Sequence, residues 1–252
     1  MAEERLLHEE DNAWRGEHYY RYKILPEYIE PTDNVLDIAC GTGYGTHRIA
    51  GYTNGKVIGG DISAEAVESC SQLWKKENLS FRVLDGTRLD FPDGYFDKVV
   101  SFETIEHTTA YMEMLKEFSR VLKDNGIAII STPNFLINSP KGYIENPYHT
   151  QEFVYDELDG ILKSVFEDVM IYGQKYSRYD KPSKVPFTGR LVEGTLKIKG
   201  IRKLPLSFKN RMAKVFIGKT FYPDENDFRL VSDKKEIVKC PTFFCICRKK
   251  KG

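Results

Sequence analysis

The stretch NVLDIACGTGYGTHRIAG, Asn34 to Gly51, limits what this chain can fold into more than any other segment. A short run of apolar residues and an aspartate leads into glycines at alternate positions, Gly41, Gly43 and Gly45, and a helix-forming run follows. Glycines between a strand and a helix let the backbone turn tightly and approach a ligand closely. Thr46 stands where a dinucleotide fingerprint needs its third glycine, and no Lys-Ser/Thr pair follows to make a phosphate loop. Asp37, ahead of the glycines, repels a pyrophosphate and suits a ligand carrying an ammonium or a sulfonium.

The strand–loop–helix pattern then repeats. NVLDIA, KVIGGDI, LSFRVLDG, FDKVVSFE, GIAIISTPN, EDVMIYGQKY and TFFCICRK read as strands. SAEAVESCSQLWKKE reads as a helix capped by Ser63, YDELDGILKSV as another, and YMEMLKEFSRVLK as an amphipathic one with Met112, Leu115, Phe118 and Val121 on one face. The alternation predicts an α/β, Rossmann-like, seven-stranded, mostly parallel sheet with helices on both faces and an antiparallel last strand. A length of 252 residues with 41 % hydrophobic content supports one such domain with a sizeable core. We expect an N-terminal helical lid over 1–33, a core over 34–176, a basic insertion over 177–240 and the last strand over 241–252.

LDIACGTGYG resembles motif I of the class I S-adenosylmethionine-dependent methyltransferases, and the resemblance continues in order through VIGGDIS, VLDGTRLDFPDGYFDKVVSFETIEH and RVLKDNGIAIISTPN. It covers about Asn34 to Asn134, with the type 11-like subgroup the nearest. It implies S-adenosylmethionine as cofactor and S-adenosylhomocysteine as product. By the resemblance, the loop of Asp37, Gly41, Gly43 and Gly45 holds the methionine part of the cofactor. Asp61 accepts the ribose hydroxyls and Ile62 offers adenine an apolar face. Asp85 binds the adenine amino group and Gly86 leaves room for the ring. Backbone around Phe102 and Glu103 holds the methionyl ammonium.

Five histidines are present, none with H-E-x-x-H spacing, and Cys245 with Cys247 is C-x-C, so a zinc site is not expected. Those two cysteines alternate with Phe244 and Ile246 and read as buried filler. His107, after the fourth strand, is a candidate general base; its plainer role is to pair with Glu106 or cap the next helix. His149 lies in NPYHTQEF, which resembles a motif of methyltransferases from polysaccharide and sugar gene clusters. Tyr148, His149 and Glu152 are candidates to line the acceptor pocket, with His149 a second candidate base; the plainer role is a loop seating the next helix, with Thr150 or Glu152 as its cap. Trp14, His18 and Tyr22, on the helix before the first strand, are candidates to close on the sulfonium or the acceptor, or simply to pack.

Lys+Arg 37 balances Asp+Glu 37, which gives no global pull towards nucleic acid or membrane. One segment departs from that balance: Lys181–Thr220 carries eleven basic residues and a single acid, Glu193. It reads as a solvated cap, a grip on an anionic acceptor such as a nucleotide sugar or phosphorylated glycan, or a contact with an anionic membrane face; nucleic acid is the weakest fit. No apolar run reaches the roughly 18–20 residues of a membrane span. The N-terminus lacks the basic and apolar regions of a secretory signal, and five cysteines without framework spacing argue against a disulfide scaffold, so the expectation is a cytoplasmic protein, free or peripheral at a membrane's inner face. The expected activity is methyl transfer to a hydroxyl or amine of a sugar, nucleotide sugar or glycolipid. A catalytically silent cofactor-binding scaffold and an NAD-dependent oxidoreductase are the alternatives, the latter opposed by Thr46 and the Asp85-Gly86 turn.

Overall fold

The computed structural model describes residues 15–177, 206–218 and 220–250. In chain order the elements are α1 (Arg15–Lys23), β1 (Val35–Ile38), α2 (Tyr44–Ile49), β2 (Val57–Asp61), α3 (Ala64–Leu73), β3 (Leu79–Val83), β4 (Phe96–Phe102), α4 (Tyr111–Val121), β5 (Leu122–Pro133), α5 (Phe135–Asn138), α6 (Tyr155–Val165), β6 (Phe166–Tyr176), α7 (Leu206–Ile217), β7 (Phe228–Val231), α8 (Lys234–Ile237) and β8 (Thr242–Lys249).

The strands form one sheet in the order β3-β2-β1-β4-β5-β8-β6-β7. β1 runs parallel to β2 and β4, β2 to β3, and β4 to β5. β8 runs antiparallel between β5 and β6. Every residue of β1 and β2 is buried, as expected of strands covered on both faces. Met114, Leu115, Phe118 and Val121 of α4 join Val99, Ala128, Ile130 and Phe243 of the sheet in one core cluster. Cys245 and Cys247 lie in that cluster, and burial pushes both thiols well above the usual range, which suits them to apolar packing.

The sheet has eight strands rather than seven. The additional one, β7, is four residues long and sits at the edge beside β6. The described residues also divide differently from the expected segments. One compact unit lies within Ile24–Lys175 and Leu230–Gly252, the other within Glu9–Lys23 and Tyr176–Arg229. Residues 24–33 therefore go with the core, while α1 goes with the inserted segment: Tyr20 meets the Phe228 ring at 6.2 Å, and a side chain at Gly16 would strike the Pro223 carbonyl oxygen at 2.3 Å. Residues 230–240 belong to the core because Asn134 donates to the carbonyls of Val238 and Cys240 at 3.1 and 2.8 Å. Gly173 lets the same segment close on β6, where a Cβ would meet Cys240 Sγ at 2.6 Å. Most of the basic segment 181–220 lies outside the described residues. In α7, Lys209 is buried over the rings of Phe221 and Tyr222, at 5.3 and 5.7 Å, rather than presented to solvent. Among the described residues no helix is long and apolar enough to cross a membrane.

Strand order reverses between β1 and β4. In open α/β sheets the crevice beyond the carboxyl ends of such strands is where ligands bind.

Candidate active site

The cofactor side of the crevice is assembled by the loop after β1. Gly41 and Gly43 have φ of +55° and +72°, the left-handed region that glycine enters without strain. Gly43 is also required by space: a Cβ there would meet Cys70, Phe81 and Trp74 at 2.8–2.9 Å. α3 braces the loop from behind, with Trp74 Nε1 donating to the Thr42 carbonyl at 2.8 Å and Cys70 Sγ to the Gly41 carbonyl at 3.3 Å. Gly45 is buried in the first turn of α2. Asp37 lies beneath the glycines, buried, and accepts from Thr46 Oγ1 at 2.6 Å. Its first duty is thus to tie β1 to α2. The same interaction explains why Thr46 replaces a glycine.

Asp61 closes β2. Its Oδ2 accepts from the Gly41 N–H at 3.0 Å and its Oδ1 from the Ser63 N–H at 2.9 Å, so the carboxylate is oriented by the very loop it faces. Next to it Ile62 is 60 % exposed, an apolar side chain held at the crevice rim. Asp85 is exposed and orders its own turn by accepting from the Thr87 N–H and hydroxyl at 2.9 and 2.7 Å. Gly86 is buried beside the end of the Met114 side chain, where a Cβ would meet Met114 Cε at 2.9 Å. The surroundings are electronegative. Cys40 is held well above the ordinary thiol range by its hydrogen bond with Cys70, by burial, and by the charges of Asp37 and Asp61. A carboxylate for hydroxyls, an apolar rim and negative potential fit a cationic nucleoside such as S-adenosylmethionine better than a pyrophosphate.

At the end of β4 the chain enters a strained turn. Glu103 has φ +50°, and it is locked by its N–H donating to the Ser131 carbonyl at 3.0 Å while Ser131 Oγ donates to Glu103 Oε1 at 2.7 Å. Phe102 is buried 5.9 Å from the Phe244 ring. Ala39, at the end of β1, is the other non-glycine residue with φ near +59° on the same edge.

The acceptor side combines two segments far apart in sequence. A 3-10 turn, Ile105–His107, follows β4, and the loop 139–153 is hydrogen-bonded onto it. Thr150 N–H donates to the Glu106 carbonyl at 2.8 Å, and Gln151 Nε2 donates to the carbonyls of Ile105 and Thr108 at 2.8 and 2.7 Å. This pinning sets the His149 ring edge-on to His107, with centroids 4.9 Å apart. His107 Nδ1 donates to the Tyr148 carbonyl at 3.0 Å. His149 Nδ1 donates to Glu152 Oε1 at 2.7 Å, and Ser139 Oγ donates to Glu152 Oε2 at 2.7 Å. Tyr148 is exposed beside them.

Several expectations are corrected here. Neither Thr150 nor Glu152 caps the next helix: the N-cap of α6 is Val154, without a side-chain bond. Glu152 is 9 % exposed and faces His149 and Ser139, so it orients a histidine rather than lining a pocket. His107 does not cap α4, whose N-cap is Ala110. Trp14 lies outside the described residues. His18 sits on α1 near Arg21, and burial followed by that guanidinium lowers its pKa well below 6.5; Tyr22 is buried. Sequence spacing missed Ser139, Thr132 and Gln151 as parts of the site because each acts through a contact with a segment 13 to 46 positions away, and it missed Asn146 although Asn146 bonds His149 only three residues on. Glu106 was seen only as a partner for His107.

A profile of the methyltransferase-domain family matches residues 29–182. A probable S-adenosylmethionine-dependent methyltransferase of Mycobacterium tuberculosis is 33 % identical over 165 residues, 65 % of this chain and 59 % of that protein. The sterol 24-C-methyltransferase of Saccharomyces cerevisiae is 32 % identical over 160 residues, 62 % of this chain and 40 % of that protein. The chain thus spans less than two thirds of the length of the curated relatives it matches. Among solved structures, the YcgJ protein of Bacillus subtilis superposes with a TM-score of 0.58 at 18 % identity, over 93 % of this chain and all of that one, which is a likeness of fold. With the glycine loop, the strand-end aspartate and the parallel sheet in place, this chain belongs to the methyltransferase-domain family, in the class I group whose cofactor is S-adenosylmethionine.

Proposed function

We propose that the protein transfers a methyl group from S-adenosylmethionine to a hydroxyl or amine of a small polar acceptor, a sugar, nucleotide sugar or glycolipid. The observation that carries this reading is the pairing of His107 with His149 on the carboxyl edge of the sheet, each held by a hydrogen bond at Nδ1. A carbonyl or carboxylate partner at Nδ1 places the proton there and the lone pair on Nε2. Such a nitrogen can take the proton of an acceptor hydroxyl, at His149 once the Asn146 amide that donates to its Nε2 at 2.9 Å yields, a contribution of roughly 10²–10⁴-fold. Glu152, paired with His149, stabilises the imidazolium that results. S-adenosylmethionine supplies the methyl group on a sulfonium. In the proposed arrangement Asp61 holds its ribose, Ile62 and Asp85 its adenine, and the loop of Asp37, Gly41, Gly43 and Gly45 with the Phe102–Glu103 backbone its methionine part.

Relatives named for sterol 24-C-methylation raise the alternative of a carbon acceptor on an apolar substrate. The lining seen here, two imidazoles with Asn146 and Tyr148 nearby, favours an oxygen or nitrogen acceptor. Apart from the buried Lys209, the bases of Lys181–Thr220 support a contact with an anionic acceptor or membrane face, which sedimentation with anionic against neutral vesicles would separate.

Thermal unfolding with S-adenosylmethionine, S-adenosylhomocysteine and NAD tests the cofactor. A ligand at about 100 times its dissociation constant adds roughly 2.7 kcal/mol of stability, a shift of roughly 5–10 °C for a domain of this size. The two adenosyl compounds should shift the transition and NAD should not; the reverse would remove the proposed function. Release of S-adenosylhomocysteine on a panel of sugars, nucleotide sugars and sterols then separates the acceptor classes.

A further inference from the structure

We infer that Glu106, His107 and His149 form a binding site for one divalent first-row metal ion at the acceptor end of the crevice. One ligand-type atom from each of the three lies within 4.8 Å of the others. Glu106 Oε1 stands 4.0 Å from His107 Nε2. Atoms bound to one ion at about 2.0–2.2 Å stand roughly 3.0–3.5 Å apart, so side-chain rotations on the order of 1 Å close the set.

The protonation pattern agrees with that geometry. The Tyr148 carbonyl can only accept, so His107 carries its proton on Nδ1. Glu152 accepts from His149 Nδ1, and Asn146 Nδ2 donates to His149 Nε2 at 2.9 Å, which fixes the same tautomer. Metal-binding imidazoles characteristically give their remote N–H to a carboxylate or a backbone carbonyl, and here one histidine does each. Glu106 is fully buried, its Oε2 accepts from Thr132 Oγ1 at 3.0 Å, and a buried carboxylate is stabilised by a cation beside it. On metal entry the Asn146 amide yields its place at Nε2. Two imidazoles and one carboxylate suit Zn²⁺, Co²⁺, Fe²⁺ or Mn²⁺ and leave coordination positions open. An ion there lowers the pKa of a coordinated hydroxyl.

The inference rests on the acceptor class proposed above and replaces its base: with both Nε2 atoms bound to the ion, the ion meets the acceptor oxygen and the proton of the coordinated hydroxyl leaves to solvent water. It also reverses the expectation of a metal-free protein, which was drawn from spacing within single segments. Spacing does not register a site assembled from two.

The test is titration of the chelator-treated full chain with Co²⁺, read by equilibrium dialysis and the visible spectrum. We expect one equivalent per chain with d–d bands. His107→Ala, His149→Ala and Glu106→Gln should each weaken uptake by about tenfold or more while leaving S-adenosylhomocysteine affinity near wild type. Uptake well below one equivalent, or uptake that both histidine variants retain, overturns the site. Cobalt-edge X-ray absorption on the wild-type protein decides independently of any variant's folding: two imidazoles in the ligand shell are expected, and one or none overturns the site. Cofactor binding and methyl transfer by a protein that takes up no cobalt would leave the functional reading standing and end this one.

Discussion

Asp61 accepts a backbone N–H on each carboxylate oxygen, and in the proposed arrangement the same carboxylate also receives the two ribose hydroxyls. Asp61→Ala should therefore do two things at once. It should lower S-adenosylhomocysteine affinity by roughly a hundredfold or more, from the loss of two charge-assisted bonds worth about 1.5–3 kcal/mol each, and it should loosen the Gly41 turn. Calorimetric titration measures the first effect, and wild-type affinity would remove Asp61 from the ribose site. Glu152 acts through His149. Glu152→Gln should reduce kcat by about tenfold to a hundredfold and change the pH profile of kcat, with cofactor affinity unchanged. A kcat and pH profile like wild type would make the pair structural only. Asp61 was legible as a strand-end acid because strand, loop and helix are coded by local pattern. The Glu152–His149 contact was half legible: the residues stood out, but their roles did not. What decides those roles is where Gln151 and Thr150 attach, and no periodicity encodes a hydrogen bond to a carbonyl some 40 positions earlier.

Between elements, the loop 139–153 depends on few bonds. Gln151 satisfies two carbonyls of the 3-10 turn at once, so Gln151→Ala leaves two acceptors to find water and should cost about 1–3 kcal/mol. Amide exchange over 140–150 should accelerate and turnover should fall, while S-adenosylhomocysteine affinity holds; unchanged exchange would show that the backbone bonds to Glu106 and the His107–Tyr148 bond pin the loop without the Gln151 side chain. α1 carries a pH dependence. His18 has a pKa lowered on folding, so the folded state binds fewer protons than the unfolded chain near 6.5. The helix should be at full strength above that value and weaken as pH falls from 6.5 through the folded-state value. Amide exchange of residues 15–23 followed from pH 7.5 to 5 should show this, and His18→Asn should flatten it. The sequence placed the helices and strands of the core well, since their apolar periods are strong. It divided α1 and residues 230–240 differently from the structure because Gly16 against Pro223, and Asn134 against Val238 and Cys240, are contacts between distant segments.

Across the whole molecule all five cysteines are buried, and Cys40, Cys245 and Cys247 have thiols pushed upward in pKa. The thiolate is the reactive form, so the native protein at pH 8 should react with a thiol reagent only as fast as it opens. Five thiols should become reactive together across the urea transition; fast modification in native buffer would mean that the sheet opens locally. The position of β8 has a consequence for the birth of the protein. It lies between β5 and β6, yet it is made 65 residues after β6 ends. At roughly 5–20 residues per second a ribosome needs about 3–13 s to cover that distance. During this interval β1 to β5 can pair as they emerge, while β5 and β6 each present an open edge towards a neighbour not yet synthesised. The nascent chain is thus most exposed to mispairing late in translation, and a pause in that stretch would lengthen the time for which chaperones must shield it.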